Sequence, residues 1–267
     1  MISVTIIAQD EERAIVGCIA SVRGFCEEVL VVDGGSRDRT RELAQSLGAR
    51  VLDRPFDDFA RQHEFARSEA RGEWILSLDA DERASQELTR ALTQVQLGGG
   101  HAAFSIPFKN HYRNIWLRHG GFWPDRHVRL FRREACRYDL ARTVHEKLLV
   151  EGTTGHLGAP ILHYTYESLR DCLDKMTRYG EQAALMHFQA GRRAGALDVA
   201  FRPAWRFLRG YLFRAGFLDG AAGAAMAWSR AYEAYVKYGT LWELSQNHST
   251  PEASGPQPEA RSPRPQL

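Results

Sequence analysis

No stretch of this sequence reaches the roughly 18 successive apolar residues that a membrane-spanning helix requires. The opening residues, Met1-Ile2-Ser3-Val4-Thr5-Ile6-Ile7, have no basic start and no apolar run of signal-peptide length, and they read directly into a strand. A cytoplasmic chain whose membrane contact is at most peripheral is therefore expected. There is also no surplus of positive charge: Lys and Arg total 35 against 33 Asp and Glu. That balance argues against nucleic acid as a partner. The four cysteines, Cys18, Cys26, Cys136 and Cys172, form no C-x-x-C pair and no metal-ligand spacing. Most sit in apolar-periodic stretches as small hydrophobes, which fits a reducing compartment. No internal repeat is present.

What the sequence does have is alternation. In its first 100 residues, short apolar runs take turns with helical patterns. Strands are expected at Ile2 to Ala8, Val29 to Val32, Arg50 to Leu52 and Trp74 to Leu78. Between them, helices are expected around Ile15, Ile19 and Val22 with Asp10 as cap, from Arg39 to Leu47 with Gly48 as left-handed C-terminal residue, and from Phe59 to Ala70. Such alternation implies a parallel sheet covered on both faces, with ligands at the carboxyl ends of its strands. Asp33 and Asp79 both fall at such ends.

Gly98-Gly99-Gly100 marks a break, and the chain to Tyr166 is richer in aromatics, His and Arg. Residues 1–166 are expected to form one domain in two halves, 1–100 and 101–166. Residues 167–244 read as helical, and 245–267, rich in Pro, Ser, Gln and Glu, read as a disordered tail.

Two segments carry chemistry. Asp79-Ala80-Asp81-Glu82 ends the fourth strand, and two carboxylates separated by one residue can converge on Mg²⁺ or Mn²⁺ beside substrate phosphates. The plainer reading is an acidic turn capping the next helix through Asp81 or Ser85. Its position after four alternating strands favours the cation. In Asp33-Gly34-Gly35-Ser36 the Asp can accept hydrogen bonds from a base or ribose and the glycines allow close approach, although the same residues make a good strand-to-helix turn.

Taken with the acidic first turn, several ordered segments bear a resemblance to family-2 glycosyltransferases, nearest the bacterial lipopolysaccharide-core β-glucosyltransferases. They are V-V-D-G-G-S-R-D-R-T (31–40), L-S-L-D-A-D-E-R (76–83), G-G-F-W-P-D-R-H-V-R-L-F (120–131), T-V-H-E-K-L-L-V-E-G (143–152) and F-L-R-G-Y-L-F-R-A-G-F-L-D-G (207–220). One departure is Ala8-Gln9-Asp10-Glu11, where the family more often shows Thr-x-Asn-Glu. The resemblance covers about Ile2 to Leu244. It implies an α/β GT-A fold, a Rossmann-like and mostly parallel sheet flanked by helices, with a C-terminal helical extension. Residues 1–166 would then be the catalytic domain, with a nucleotide-binding half (1–100) and an acceptor half (101–166).

It further implies a metal-dependent, inverting transfer of a hexose, with glucose the first guess, from a UDP-sugar to a lipopolysaccharide-core or other lipid-linked saccharide. Ala8, Glu11, Asp33, Arg61, Asp79 and Ala80 would line the nucleotide pocket. Asp79, Asp81 and a late His, for which His163 is the candidate, would hold Mg²⁺ or Mn²⁺. His163 also reads as an ordinary core histidine. Two rival functions stay open: transfer to a polyprenyl phosphate, and a saccharide-binding module without turnover.

For the base there are two candidates, Glu146 and Asp125. Arg126 beside Asp125 would stabilise its ionised form and weaken it as a base. Glu146 follows His145 in an apolar-flanked segment, where partial burial would raise its proton affinity. Glu146 is favoured as base, with Asp125 positioning the acceptor. Arg126, Arg129, Arg132 and Arg133 could meet phosphates on an anionic acceptor, with solvated surface as the alternative. Finally, Phe201, Trp205, Leu208 and Leu212 fall on one helical face and Arg202, Arg206 and Arg209 on another. This pattern suits either an anionic membrane surface or a helix docked on the catalytic domain.

Overall fold

The computed structural model describes residues 1–94, 100–141 and 147–247. Gly98 and Gly99 of the expected break, the candidate base Glu146 and residues 248–267 of the expected tail lie outside them.

The first half builds as the periodicity demands. Strands β1 (Ile2–Ala8), β2 (Glu28–Asp33), β3 (Arg50–Asp53) and β4 (Trp74–Asp79) alternate with helices α1 (Ile15–Val22), α2 (Thr40–Ser46) and α3 (Phe59–Glu69). The four strands pair in parallel in the order β3-β2-β1-β4. Successive side chains point to opposite faces, and both faces are covered. Val4, Ile6, Val31, Leu76 and Leu78 pack with Ile15, Cys18, Ile19 and Val22 of α1. Ile7, Leu30, Val32 and Ile75 pack on the other face with Ala66 of α3 and Ala70 just beyond it.

Two helix ends are instructive. Gly48 takes φ +75° and donates from its N–H to Gln45 O, while Ala49 N donates to Ala44 O. This is the paired closure that a left-handed residue after a helix permits. Asp10, by contrast, does not cap α1. That helix starts after Ala14 with no side-chain cap. Asp10 itself has φ +56° and accepts from Arg37 N at 2.7 Å, so its carboxylate ties the β1 turn to the β2 turn.

The second half is mixed. After β4 come β5 (Glu82–Ala84), α4 (Gln86–Gln94), β6 (His101–Tyr112), β7 (Ile115–Trp116), β8 (Asp125–Arg132), β9 (Cys136–Tyr138), β10 (Leu148–Val150), β11 (Thr153–His156) and β12 (Ile161–Tyr166). The full sheet runs β3-β2-β1-β4-β8-β6-β12-β5, with β7 and β11 also paired to β6, and β9-β10 forms a separate hairpin. Strand β8 is antiparallel to both β4 and β6, and β5 is antiparallel to β12. Only Ala80 and Asp81 separate β4 from β5, yet β5 pairs with β12, not with β4. The acidic turn is therefore carried across to the far end of the strand order.

The chain divides into two compact units, residues 1–172 with 209–227, and residues 173–208 with the described residues from 228 on. The C-terminal helices are α5 (Leu169–Gln189), α6 (Ala196–Leu208) and α7 (Gly220–Asn247). Within the second unit, Ala184, Ala194 and Leu241 form a small core, and a Cβ on Gly180 would press on Val236 and Glu233 O, so α5 and α7 approach closely there. No residue of α6 is buried. Among the described residues no helix is long and apolar enough to cross a membrane.

Candidate active site

The carboxyl ends of β1, β2 and β4 bring the first set of candidates together. Ala8 O accepts from Gly34 N at 2.8 Å, joining the β1 and β2 turns. Asp33 is 0% exposed, and its carboxylate accepts from Gly35 N, Ser36 N and Ser36 Oγ. Its visible task is thus to shape the turn, in which Gly35 holds φ +98°. Glu11 donates from its N–H to Thr40 Oγ1 at 2.7 Å. Arg61 is on the first turn of α3, where its guanidinium pairs with the capping carboxylate of Asp58.

Beyond β4 the geometry is set by a β-bulge. Phe104 of β6 faces Leu130 of β8, and Ser105 faces Val128, so Arg129 is the extra residue without a partner in the ladder. The bulge re-aims its side chain. Arg129 Nη2 donates to Asp79 Oδ2 at 3.0 Å and to Glu82 Oε1 at 2.7 Å. Glu82 is 0% exposed and also accepts from Asp79 N at 3.0 Å. Burial raises the Asp79 carboxyl, but Arg129, with His63 and His163 behind it, holds it well below the usual range. Burial pushes the Glu82 carboxyl up to about 8; Arg129 pulls against this and Asp79 adds to it. Asp79 Oδ1 is buried without a hydrogen-bond partner, 3.7 Å from His63 Nε2.

The crossing of β5 to β12 brings Asp81 to His163. Tyr164 N donates to Asp81 O at 3.0 Å, and His163 Nε2 stands 3.4 Å from Asp81 Oδ2. Burial lowers the His163 proton affinity, but Asp81, followed by Glu82 and Asp79, raises it on balance. His163 faces Glu82 on one side and Asn110 of β6 on the other. His163 Nδ1 lies 2.8 Å from Asn110 Oδ1, and Asn110 Nδ2 donates to Asp125 Oδ2 at 3.2 Å. Asp81, His163, Asn110 and Asp125 therefore form one polar chain.

At Asp125 the structure corrects the sequence reading. Its partner is not Arg126 but His127, whose Nε2 lies 3.0 Å from Asp125 Oδ1. Residues two apart on a strand share a face, whereas the next residue points away. Arg126 instead donates to Ser105 O and Leu157 O. The outcome for basicity is unchanged in direction: the His127 hydrogen bond lowers the Asp125 carboxyl, against the effect of burial. The arginines expected at acceptor phosphates are engaged as well. Arg129 is in the buried cluster, Arg132 pairs with Glu73, and Arg133 meets Glu134.

The loop before β8 is held by a distant segment of the same unit. Asp219 Oδ2 accepts from Arg118 N and His119 N at 2.9 and 2.8 Å, and its Oδ1 lies 2.7 Å from His119 Nδ1. Gly120 N donates to Arg214 O, and a Cβ on Gly121 would collide with the Arg214 guanidinium. The Gly-Gly-Phe-Trp-Pro-Asp and Phe-Leu-Asp-Gly segments of the sequence are thus one structural unit. Trp116 and Trp123 meet edge to face at 5.4 Å, with Lys109 and Arg118 against Trp116.

Sequence reasoning missed Asn110, His63, His127 and the pairing of Glu82 with Arg129. Only the two histidines carried a signal of residue type, and nothing marked Asn110. Among the described residues no three His, Cys, Asp or Glu groups converge into a ready-made metal cage. The donor chemistry suits a hard cation completed by substrate phosphates, since Asp81 and His163 lie side by side and Asp79 Oδ1 is an unused acceptor nearby.

A parallel half with acidic residues at the carboxyl ends of its strands, and an antiparallel half beside it, is the arrangement of the GT-A fold. The sequence profile described as "Glycosyl transferase family 2" matches residues 3–148, and the chain belongs to that family. Its relatives include the lipopolysaccharide core biosynthesis glycosyltransferase LpsC of Rhizobium meliloti, 30% identical over 89% of this chain and 93% of that protein. An uncharacterised glycosyltransferase of Rickettsia typhi is 27% identical over 91% of this chain and 87% of its own. Among solved structures, Staphylococcus aureus TarS aligns with a TM-score of 0.47 at 14% identity, over 88% of this chain and 54% of that one. Glucosyl-3-phosphoglycerate synthase of Mycobacterium tuberculosis, solved with Mn²⁺, UDP and glucosyl-3-phosphoglycerate, aligns with a TM-score of 0.34 at 23% identity. That alignment covers 43% of this chain and less than half, 44%, of that one.

Removing Arg129 leaves the buried Glu82 carboxyl without its cation and beside Asp79. Arg129→Met should lower unfolding free energy by about 3 kcal/mol, the scale for breaking a buried ion pair. Adding Glu82→Gln should recover part of that loss in urea titrations. No recovery would mean that Arg129 acts by packing alone.

Proposed function

We propose that this family-2 enzyme transfers a hexose, glucose as first candidate, from a UDP-sugar to a hydroxyl of a lipopolysaccharide-core or other lipid-linked saccharide, with inversion. The observation that carries this reading is the polar chain from Asp81 through His163 and Asn110 to Asp125, which links the acidic turn to the strand expected on the acceptor side. The likeness to LpsC supports the acceptor class.

In this reading Ala8, Glu11, Asp33 and Ala80 line the uridine and ribose pocket, and Arg61 swings from Asp58 toward the phosphates. Asp81 and His163, with Asp79 beside them, would hold Mg²⁺ or Mn²⁺, which would offset charge on the departing diphosphate. Asp125 orients the acceptor. Glu146 takes the proton of the attacking hydroxyl as its oxygen bonds to the anomeric carbon and the bond to the diphosphate breaks. The lowered proton affinity of Asp125 supports leaving the base to Glu146.

The second unit supports work at the inner face of the cytoplasmic membrane. On α6, Phe201 is 67% and Trp205 56% exposed. Burial lowers the proton affinity of Lys237, Glu233 works against it, and Arg192, Arg206 and Arg202 lie close enough to lower it further. An exposed aromatic face beside clustered positive charge suits an anionic bilayer surface.

Three measurements test the reading. Asp81→Asn should fold normally and weaken Mn²⁺-dependent UDP-glucose binding at least about tenfold in calorimetry; unchanged affinity would remove Asp81 as a ligand. Glu146→Gln should bind UDP-sugar normally and lose about 10²-fold in turnover, whereas an inactive Asp125→Asn beside an active Glu146→Gln would exchange the two roles. The protein should sediment with phosphatidylglycerol vesicles, less so as salt rises. Changing Arg202, Arg206 and Arg209 to Glu together should abolish that binding, and equal recovery of mutant and wild type would make α6 an ordinary surface helix.

A further inference from the structure

Asn110 has a job that the reaction as described does not use. Its side chain is buried in β6, and the cross-strand register places it beside His163 on one side and next to the pair Phe108–Asp125 on the other. The amide has two distinct ends. Two acceptors, Asp125 Oδ2 at 3.2 Å and Phe122 O at 3.4 Å, surround one of them. That end must therefore be the NH₂ group, and Oδ1 must face His163 Nδ1 at 2.8 Å. An acceptor at that distance requires the hydrogen of a neutral His163 to sit on Nδ1. The lone pair then lies on Nε2, which faces Asp81 Oδ2.

We propose that Asn110 is a positioning residue that fixes His163 in the Nδ1–H form, with Nε2 open for a divalent cation, while the same amide holds the acceptor-side carboxylate of Asp125. One planar group thereby sets the cation side and the acceptor side in a common geometry. Partners of this kind raise ligand basicity and fix ring orientation, and their loss costs about 10- to 100-fold in metal affinity. The inference rests on the reading of His163 as a cation ligand.

Two readouts on the full chain test it, each for wild type, Asn110→Ala and Asn110→Asp. The first is the His163 tautomer, read from long-range ¹H–¹⁵N correlations of histidine-labelled protein at alkaline pH. The second is Mn²⁺ affinity, followed by the electron paramagnetic resonance of free Mn²⁺ with no donor or acceptor present. Wild type should show Nδ1–H. Asn110→Ala should lose that preference and bind Mn²⁺ about tenfold or more weakly. Asn110→Asp keeps an oxygen opposite Nδ1, so it should retain the tautomer and Mn²⁺ affinity within about threefold. It nonetheless sets a second carboxylate against Asp125, so turnover should fall.

An Nε2–H tautomer in wild type, or unchanged Mn²⁺ affinity in Asn110→Ala, overturns the proposal. So does equal loss of affinity in both variants, because a merely structural residue would behave that way. Wild type that shows Nδ1–H but binds no Mn²⁺ overturns the cation reading of His163 and the coupling built on it, a result distinct from failure of the tautomer itself.

Discussion

The guanidinium of Arg129 is the contact on which this site depends. It lies between Asp79 at the end of β4 and Glu82 at the start of β5, two carboxylates separated by only two residues. Glu82 is wholly buried, and an unpaired carboxylate there would be strongly unfavourable. With Arg129 present, the chain can leave one strand, turn through Ala80 and Asp81, and enter the next with its acidic groups held apart. Arg129 can reach them because β8 bulges at that residue. A regular strand would have given Arg129 a partner in the ladder and aimed it elsewhere.

Much of the first half could be read from the sequence because its signals are local. Apolar alternation located β1 to β4, the Gly48 closure was visible as a residue type, and the Asp-Ala-Asp-Glu run marked the strand end that became the acidic turn. His163 was singled out only through the family resemblance, since a lone histidine in an apolar strand reads by itself as a core residue, and the structure sets it beside Asp81. What escaped was long-range or geometric. No local pattern says that β5 joins β12 or that Arg129 occupies a bulge. The partner of Asp125 was misread because Arg126 adjoins it in sequence, whereas pleating makes His127 its neighbour in space. Asp10 was read as a helix cap since the residue type fits, yet its left-handed backbone turns it toward the β2 loop.

The loop before β8 illustrates how distant segments share one task. Arg118 and His119 give their N–H groups to Asp219, and Gly120 and Gly121 admit Arg214 where side chains would obstruct it. This explains in physical terms why the Gly-Gly-Phe-Trp-Pro-Asp and Phe-Leu-Asp-Gly segments belong together: each supplies what the other lacks, backbone donors on one side and a carboxylate on the other. The loop that leads into Asp125 is thus anchored by residues about 100 positions later in the chain.

The pairing of β5 with β12 also has a consequence for the order in which the protein is made. The parallel strands β3-β2-β1-β4 are complete at Asp79, so their pairing can begin while the rest of the chain is still being synthesised. Strand β5 follows at once in sequence but must wait for Ile161–Tyr166 before it has a ladder to join. During that interval β5 has helix α1 beside it, where Ala84 N donates to Ser21 Oγ, but it lacks the strand that brings His163 to Asp81. A nascent chain would therefore pair its parallel strands first and join Asp81 to His163 late, because a chain stopped before residue 161 has made neither β12 nor that histidine.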